Sequence, residues 1–318
     1  MLKKIYIKKI ITCFVALFTI LLIYIIPESQ ETIEYKEEIE YVNKDIKTST
    51  IFLLDSNNYL ASTKIITEKT DTIGKAKELI NALIIDGNMQ DKIPNGFKSI
   101  IPSGTNILNL TYDNKVIKID FSSDLMNTSN DNEERIIEAI VYTLTSIEDV
   151  DFVIIYMEGE ILTKLPKSKI TLPSTLDRSI GINKEYNLTN TKDINQTTIY
   201  YISKFNDSMY YVPVTKINND NRSKIEIIID ELASSNVYKP NLMSYLNNNT
   251  ELLSVNENQD ELVLNFNSAI LDDINTKDIL EEVIYTISMS ISDNYDVKNV
   301  IFNVENEEIH KSVLKSIE

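Results

Sequence analysis

Residues 116–125 read Val-Ile-Lys-Ile-Asp-Phe-Ser-Ser-Asp-Leu, and residues 261–270 read Glu-Leu-Val-Leu-Asn-Phe-Asn-Ser-Ala-Ile. Both stretches begin with alternating apolar and polar residues, the pattern of a strand with one buried face. Phe121 and Phe266 lie 145 residues apart in the sequence. The shared pattern indicates that the chain contains the same structural unit twice.

The elements around these two strands also occur twice. An apolar helical pattern follows each of them, at residues 136–144 and 279–287, and a closing strand pattern follows at 150–158 and 297–305. Upstream, each copy has two strand patterns and one amphipathic helix. The patterns therefore predict that the elements of each copy follow the order β-β-α-β-β-α-β. This order is typical of an α+β fold, and we expect two helices to cover one face of each sheet.

The segment between the two copies contains Pro, Gly, Asn and Thr and loses its periodicity, which is typical of a linker. An acidic stretch separates the first copy from the amino-terminal residues. We expect a basic amino-terminal end at residues 1–9, a transmembrane anchor at 10–27, an acidic stalk at 28–47, a first domain at 48–180, a linker at 181–196 and a second domain at 197–318.

The amino-terminal residues predict attachment to a membrane. Residues 10–26 carry no charged side chain, four lysines precede them, and glutamates follow from Glu28 onward. Seventeen helical residues span about 25 Å, at the short end for a membrane crossing. Because lysines concentrate on the cytoplasmic side, we expect a single-pass protein with a cytoplasmic amino terminus and extracytoplasmic domains. A cleaved signal peptide is the alternative, although residues 25–28 (Ile-Ile-Pro-Glu) lack the small residues of a cleavage site.

The composition excludes several classes of site. The chain has 318 residues, a net charge of −17, one His and one Cys. A zinc site takes about four ligands, usually with several His or Cys, and a single Cys cannot form an internal disulfide. The six Gly form no phosphate-binding motif, and the acidic balance argues against nucleic acid as a partner. We therefore expect no cofactor and no metal, and a charge that favours a basic partner or simply keeps the domains in solution.

Other titratable residues have structural explanations. We expect Asp120, which ends a strand pattern, to cap a turn rather than to act with Asp124 in catalysis. Residues 127–134 (NTSNDNEE) lack the turn glycine of a calcium loop, so they predict the start of a helix capped by Asn130 or Asp131. His310 lies near the carboxyl end and is expected to be exposed.

Residues 96–108 read Gly-Phe-Lys-Ser-Ile-Ile-Pro-Ser-Gly-Thr-Asn-Ile-Leu. Together with residues 116–122, they resemble the GerM domain of spore-forming bacteria. The helix with Tyr142-Thr-Leu and the closing strand up to Gly159 resemble the same domain, and the resemblance covers residues 48–318. The second copy departs from the pattern, because Asn-Asn-Asn replaces Pro-Ser-Gly before Thr250 and Asn265 replaces the aspartate.

The resemblance implies a fold similar to the ring-building domains of secretion and sporulation channels. It also implies a membrane attachment before two tandem domains, a role at the envelope in sporulation or spore germination, and no catalytic residues. The positions that carry the pattern are expected to be mainly structural. They are Pro102, Gly104, Thr105, Asp120, Phe121, Ser122, Tyr142, Thr143, Leu144, Gly159, Thr250, Phe266, Tyr285 and Thr286.

Four tyrosines of a predicted hairpin in the second copy are candidates for contact with a partner or with the cell wall. Because strand side chains alternate between two faces, some of them are expected to face solvent. They are Tyr200, Tyr201, Tyr210 and Tyr211. Tyr142, Tyr156 and Tyr285 are instead expected in the core or on a sheet face.

Tandem α+β units without a chemical site predict a non-enzymatic scaffold that assembles or stabilises a complex of envelope proteins. Strand addition at an open sheet edge is the simplest mode of contact. A peptidoglycan-binding module that uses the tyrosine-rich hairpin is the alternative. A cell-wall hydrolase is a remote alternative, because acid-base catalysis needs a placed titratable pair and the copies share none. In a sporulating cell, the resemblance implies that the domains lie between mother cell and forespore.

Overall fold

The computed structural model describes residues 2–25, 47–234 and 241–314. The chain divides into two compact units, residues 1–45 and residues 46–318. The two repeats seen in the sequence both lie in the second unit, so they form a single compact body. Each unit is described by itself below.

The described residues of the first unit form the helix α1 (Leu2–Ile25). Among the described residues, no helix combines the length and the apolar character that crossing a membrane requires. The anchor predicted at residues 10–27 is therefore not confirmed, and its last two residues lie outside the described part. The acidic stalk predicted at 28–47 also lies outside it, apart from residue 47.

The first copy contains two helices and six strands. In chain order they are β1 (Thr48–Leu54), β2 (Leu60–Ile66), α2 (Thr72–Leu83), β3 (Ile107–Asp113), β4 (Val116–Phe121), α3 (Asn130–Leu144), β5 (Phe152–Met157) and β6 (Glu160–Ile161). The two-residue strand β6 follows the predicted order β-β-α-β-β-α-β. A short strand, β7 (Glu185–Asn187), then lies within the predicted linker.

The second copy repeats this order of elements. They are β8 (Asn195–Phe205), β9 (Ser208–Asn218), α4 (Lys224–Ser234), β10 (Leu252–Asn258), β11 (Glu261–Phe266), α5 (Glu281–Asn294), β12 (Asn299–Val304) and β13 (Glu307–Val313). The α+β class and the repeated order of elements are confirmed. The bounds of the two domains stay a prediction.

The strands form three sheets rather than one sheet per copy. Two are four-stranded, with the orders β3-β4-β5-β6 and β10-β11-β12-β13. In each of them the two inner strands are parallel, and a helix connects them. The third sheet joins the β1–β2 hairpin to the β8–β9 hairpin, with β7 also paired to β9. The two copies therefore share a five-stranded sheet.

The periodic apolar residues of the sequence form the cores. Phe121 and Phe266, on which the repeat is aligned, are both fully buried, one in each core. In α2, the residues at helical spacing from Ala76 to Leu83 are buried, and the helix begins where the side chain of Asp71 accepts from the backbone N–H of Gly74. Amphipathic packing and an N-cap thus place this helix as predicted.

The N-cap of helix α3 lies one residue before the first of the two predicted caps. The cap is Ser129, not Asn130 or Asp131. Glu133 in the first turn of α3 is fully buried and accepts backbone N–H bonds from Lys167 at 2.9 Å and Ser168 at 2.7 Å. Burial alone would raise the pKa of Glu133, but these hydrogen bonds outweigh burial and hold the pKa below its ordinary value. This carboxylate therefore fixes the loop that follows β6.

Replacing Glu133 by glutamine is expected to lower the free energy of unfolding at pH 7 by about 1–3 kcal/mol, because an amide cannot replace a carboxylate that accepts several N–H bonds. The pKa is lower in the folded state. The stabilisation is therefore present above the unfolded value of about 4.3 and is lost as the pH falls through the folded value. Urea denaturation at several pH values should show the difference between wild type and variant shrinking between about pH 5 and pH 3.

Glu148→Gln is the matched control, because Glu148 is exposed. Its effect should stay within about 0.5 kcal/mol at every pH. Equal losses in the two variants, or a Glu133→Gln effect that does not depend on pH, would contradict the assignment.

Candidate functional site

The residues of the family pattern before β3 form a turn. Gly104 has a φ of 86°, a left-handed conformation that favours glycine. The hydroxyl of Thr105 donates to the carbonyl of Pro102 at 2.7 Å. In the second copy, Thr250 closes a related turn through its backbone N–H, which donates to the carbonyl of Asn247 at 2.9 Å. These positions shape the chain where it turns into the strand.

Asp120 and its counterpart Asn265 have the same structural role in the two copies. A carboxylate oxygen of Asp120 accepts from the backbone N–H of Gly159 at 3.1 Å. The side-chain oxygen of Asn265 accepts from the backbone N–H of Asn306 at 2.8 Å. Each side chain thus holds the turn after the third strand of its sheet, as expected for Asp120. Ser122 beside it accepts from the backbone N–H of Asn106 at 3.0 Å, which holds the start of β3.

The helical part of the pattern packs against the shared sheet. Tyr142 and Leu144 are fully buried, and the ring of Tyr142 contacts the ring of Phe52 edge to face at 5.3 Å. The hydroxyl of Thr143 accepts from the backbone N–H of Phe52 at 3.0 Å, so α3 covers the outer edge of β1. In the second copy, the hydroxyl of Ser290 on α5 accepts from β8 in the same way, at 2.9 Å.

The second copy differs at the tyrosine and threonine of this pattern. The hydroxyl of Thr286 donates to the carbonyl of Glu282 within its own helix at 2.9 Å. Tyr285 is 43% exposed, so the expectation that it lies in the core or on a sheet face is wrong. Its ring lies 6.0 Å from that of Tyr211 at the surface of α5. His310 differs as well: it is half-buried on β13 with its ring 5.9 Å from that of Phe302, and is not exposed as expected.

The tyrosine-rich hairpin does not face solvent as predicted. Tyr200, Tyr201 and Tyr210 are 3%, 1% and 6% exposed, and Tyr211 is half-buried. The physical reason is that both faces of β8 are covered, so residues 197–203 are buried without alternation. Three of these rings are therefore closed to a wall polymer. The observation that suggested peptidoglycan binding is not present in the structure.

The buried tyrosines belong to a junction between the two copies, in which Arg178 is central. Its Nη1 donates to Asp293 Oδ1 at 2.6 Å, and its Nε and Nη2 donate to the hydroxyls of Thr145 and Ser146 at 3.0 and 2.9 Å. The side chain of Asp293 is 1% exposed and also accepts from the hydroxyl of Tyr200 at 2.9 Å. Burial lowers the pKa of Arg178, but the charge of Asp293, the neighbouring tyrosines and the hydrogen bond to Asp293 together raise it above its ordinary value. One guanidinium thus links the carboxyl ends of α3 and α5.

Asn183 makes a second link in the junction. Its side-chain oxygen accepts from the backbone N–H of Leu60 at 2.9 Å. Its amide nitrogen donates to the carbonyls of Leu60 and Pro213 at 2.8 and 2.7 Å. Leu60 lies on β2 and Pro213 on β9, two strands whose pairing consists of Ser62 with Tyr211. The amide side chain therefore extends a short pairing between the two hairpins.

The neighbouring residue, Lys184, completes the junction. Its ammonium group lies 2.6 Å from Glu134 Oε1 and 3.1 Å from Glu138 Oε1. Burial raises the pKa of Glu138 even though the charge of Lys184 lowers it. Glu138 also accepts from the backbone N–H of Asn183 at 3.1 Å. The carboxylates of the junction are thus occupied in structural contacts.

The family model described as "Sporulation and spore germination" (Germane) matches residues 50–163 and 198–310, together more than half of the chain. The chain belongs to the Germane family. A curated relative, "Spore germination protein GerM" of Bacillus subtilis (strain 168), is 29% identical over 280 residues, which cover 84% of this chain and 75% of the relative. The solved structure "Tandem GerMN domains of the sporulation protein GerM from Bacillus subtilis" superposes with a TM-score of 0.75 at 27% identity, covering 82% of this chain and 92% of the other.

The junction residues lie outside both Germane matches. Arg178, Asn183 and Lys184 come from the segment between residues 163 and 198 that joins the two matched stretches. Sequence reasoning missed them, because this segment loses its periodicity: Arg178 falls at the end of the predicted first domain, and Asn183 and Lys184 fall in the predicted linker. Its contacts instead hold the two Germane repeats together as one body.

The Germane repeats leave the outer strands of their own sheets open. In the orders β3-β4-β5-β6 and β10-β11-β12-β13, no described strand pairs with the outer side of β3, β10 or β13. Unpaired backbone N–H and C=O groups on such an edge can accept a strand from another chain. The shared sheet differs, because α3 and α5 cover its outer edges. Open edges are therefore found on the four-stranded sheets.

Proposed function

We propose that the protein acts in sporulation or spore germination as a non-catalytic scaffold that assembles or stabilises a complex of envelope proteins. The observation that carries the proposal is the joining of two Germane repeats into one body with open edges on two separate sheets. Such a body can hold two partner segments at a fixed separation. Membership of the family and the similarity to GerM of Bacillus subtilis support the biological setting.

The contacts of the buried carboxylates support a role without catalysis. Glu133 holds a loop, Asp293 pairs with Arg178, and Glu138 pairs with Lys184. General acid-base catalysis needs a titratable group that can reach a substrate. The polar interior thus serves the fold.

Membrane attachment through residues 10–27 is part of the same proposal. Four lysines before this stretch and glutamates after it favour a cytoplasmic amino terminus, with the repeats outside the cytoplasm. In a sporulating cell, the repeats would then lie between mother cell and forespore. A scaffold held at that membrane would meet other envelope proteins in a confined space.

The scaffold proposal predicts that partner proteins co-purify with the tagged full chain from cross-linked sporulating cells. We expect at least one envelope protein to be enriched about tenfold or more over a control, an unrelated single-pass protein with the same tag at the same level. Mass spectrometry of the eluted proteins measures the enrichment. If no envelope protein exceeds the control, the scaffold proposal fails.

A further inference from the structure

An exposed leucine occupies the same place on the outer strand of each copy. Leu108 is left out of the pairing of β3 with β4, and Leu253 is left out of the pairing of β10 with β11. Both residues are therefore bulges, in which one extra residue bends the strand and re-aims a side chain. Their exposed fractions are 51% and 46%. Both copies thus expose an apolar side chain to water at equivalent positions.

Beyond the bulge, the two strands differ in what covers them. Leu110 and Tyr112 of β3 are half-buried and pack against the first core. Their counterparts on β10, Val255 and Glu257, are both exposed, with Val255 at 41%. Strand β10 therefore offers two exposed apolar side chains, Leu253 and Val255, beside an open backbone edge. Strand β3 offers only the bulge leucine.

The two strands also differ in charge. Residues 241–276, which contain β10 and the sequence on either side of it, include six acidic residues and no Lys or Arg, whereas the equivalent residues 96–131 include four acidic residues and three lysines. Asp260 pairs with Lys298, which precedes β12, and Glu261 pairs with Lys311 of β13. Within the described residues, the exposed side chains of Glu251 and Glu257 at the two ends of β10 form no ion pair. The edge of β10 therefore has negative charge available to a partner.

We propose that β10 is a docking edge for an extended, basic segment of a partner protein. The segment would pair with residues 254–258 by strand addition, with Leu253 and Val255 contacting its apolar side chains and Glu251 and Glu257 its Lys or Arg side chains. The charge around the strand selects a basic segment and disfavours an acidic one. This inference rests on the proposed scaffold function and names the chemistry of its partner.

The bulge gives the docking edge a fixed end. Regular pairing cannot continue through Leu253, because the extra residue breaks the alternation of hydrogen-bonding groups. A partner strand is therefore limited to about five residues and is aligned by the leucine at one end. Natural proteins use bulges and charge to keep open edges from pairing with any strand. The same features here favour one class of segment.

The test measures binding of fluorescent octapeptides to the purified full chain in detergent micelles by fluorescence anisotropy. The probe repeats Lys-Lys-Val-Val, so that each face of the extended peptide carries both residue types, and one control peptide repeats Glu-Glu-Val-Val. A second control is the Lys/Val peptide with alternate backbone nitrogens methylated, which cannot form a ladder. We expect the Lys/Val peptide to bind about tenfold or more tightly than either control, a difference of about 1.4 kcal/mol, because one control loses the charge complementarity and the other loses the backbone pairing.

The variants separate β10 from its counterpart. Leu253→Ser together with Val255→Ser should weaken binding of the Lys/Val peptide about tenfold, and Glu257→Lys should weaken it further as salt is lowered. The matched controls Leu108→Ser and Asp113→Lys on β3 should leave binding unchanged. All of these positions are exposed, so thermal unfolding of every variant should match that of the wild type.

Three results would overturn the inference: no binding of the Lys/Val peptide, equal binding of the Glu/Val peptide, or equal losses from the β3 and β10 variants. Concentration-dependent self-association that is lost in Leu253→Ser with Val255→Ser would also overturn it, in favour of a second copy of this chain as the occupant. If the peptide does not bind but envelope proteins co-purify, β10 is not the docking edge and the scaffold proposal is retained. If the peptide binds but no envelope protein co-purifies, the scaffold proposal fails and β10 is retained as an edge that binds basic segments.

Discussion

Replacing Arg178 by methionine is expected to lower the free energy of unfolding by about 3–5 kcal/mol, because the substitution leaves the buried carboxylate of Asp293 without its charge partner. The guanidinium also lies 5.7 Å from the ring centre of Phe52 and 5.1 Å from that of Tyr142. Methionine keeps part of the apolar contact with these rings but supplies no hydrogen bond to α3 or α5. Urea denaturation of the full chain, followed by circular dichroism, measures the loss.

Arg222→Met is the matched control for the ion pair. Arg222 pairs with Asp220 and Asp230 on the surface, and its side chain is 49% exposed. Exposed ion pairs contribute about 0–1 kcal/mol, so this loss should be small. Adding Asp293→Asn to Arg178→Met should recover part of the stability, since it removes the uncompensated charge. Equal losses at the two arginines, or strictly additive losses at Arg178 and Asp293, would contradict a buried pair.

The elements of each copy could be predicted from the sequence because their signals are local. Alternation at residues 116–121 and 261–266 depends on one buried face, and the structure buries Phe121 and Phe266 on that face. The helical spacing of apolar residues in α2 and α4 has the same basis. The apolar pattern of a single strand or helix can be recognised from its own residues. It is therefore visible in the second copy, although the family motif is degraded there.

The burial of the tyrosine-rich hairpin was missed, although the sequence holds a signal for it. Residues 199–202 read Ile-Tyr-Tyr-Ile, which has no polar residue at alternate positions. A continuous apolar run is typical of a strand covered on both faces. The expectation of exposed tyrosines rests instead on side chains that alternate between a buried and an exposed face of the strand. The hydroxyls of Tyr200 and Tyr201 instead reach Asp293 and Glu231 within the protein.

The junction could not be predicted, because its contacts join residues that are distant in the sequence. Arg178 and Asp293 are 115 positions apart, and Asn183 and Leu60 are 123 positions apart. The segment that carries Arg178 and Asn183 has no periodic pattern, so no local rule marks either residue. The side chains of Asn183 and Arg178 acquire their partners only when the two hairpins pack into one sheet.

Replacing Asn183 by alanine is expected to lower the free energy of unfolding by about 3 kcal/mol. The backbone N–H and C=O of Leu60 and the C=O of Pro213 would lose their partners, and Leu60 is fully buried, so water cannot easily replace the amide. Asn183 also has a φ of 46°, which costs alanine about 1 kcal/mol more than glycine. Asn183→Gly should therefore be about 1 kcal/mol less destabilising than Asn183→Ala.

Asn219→Ala is the matched control for the junction amide. The side chain of Asn219 accepts from the backbone N–H of Thr189 and donates to the carbonyl of Lys192, but these bonds are exposed to water. Its loss should be below about 1 kcal/mol, because water satisfies the released groups. Hydrogen exchange adds a local readout: the amide of Leu60 should lose protection in Asn183→Gly and keep it in Asn219→Ala. Unchanged protection at Leu60 in Asn183→Gly would mean that the pairing of β2 with β9 holds the two repeats together without the amide.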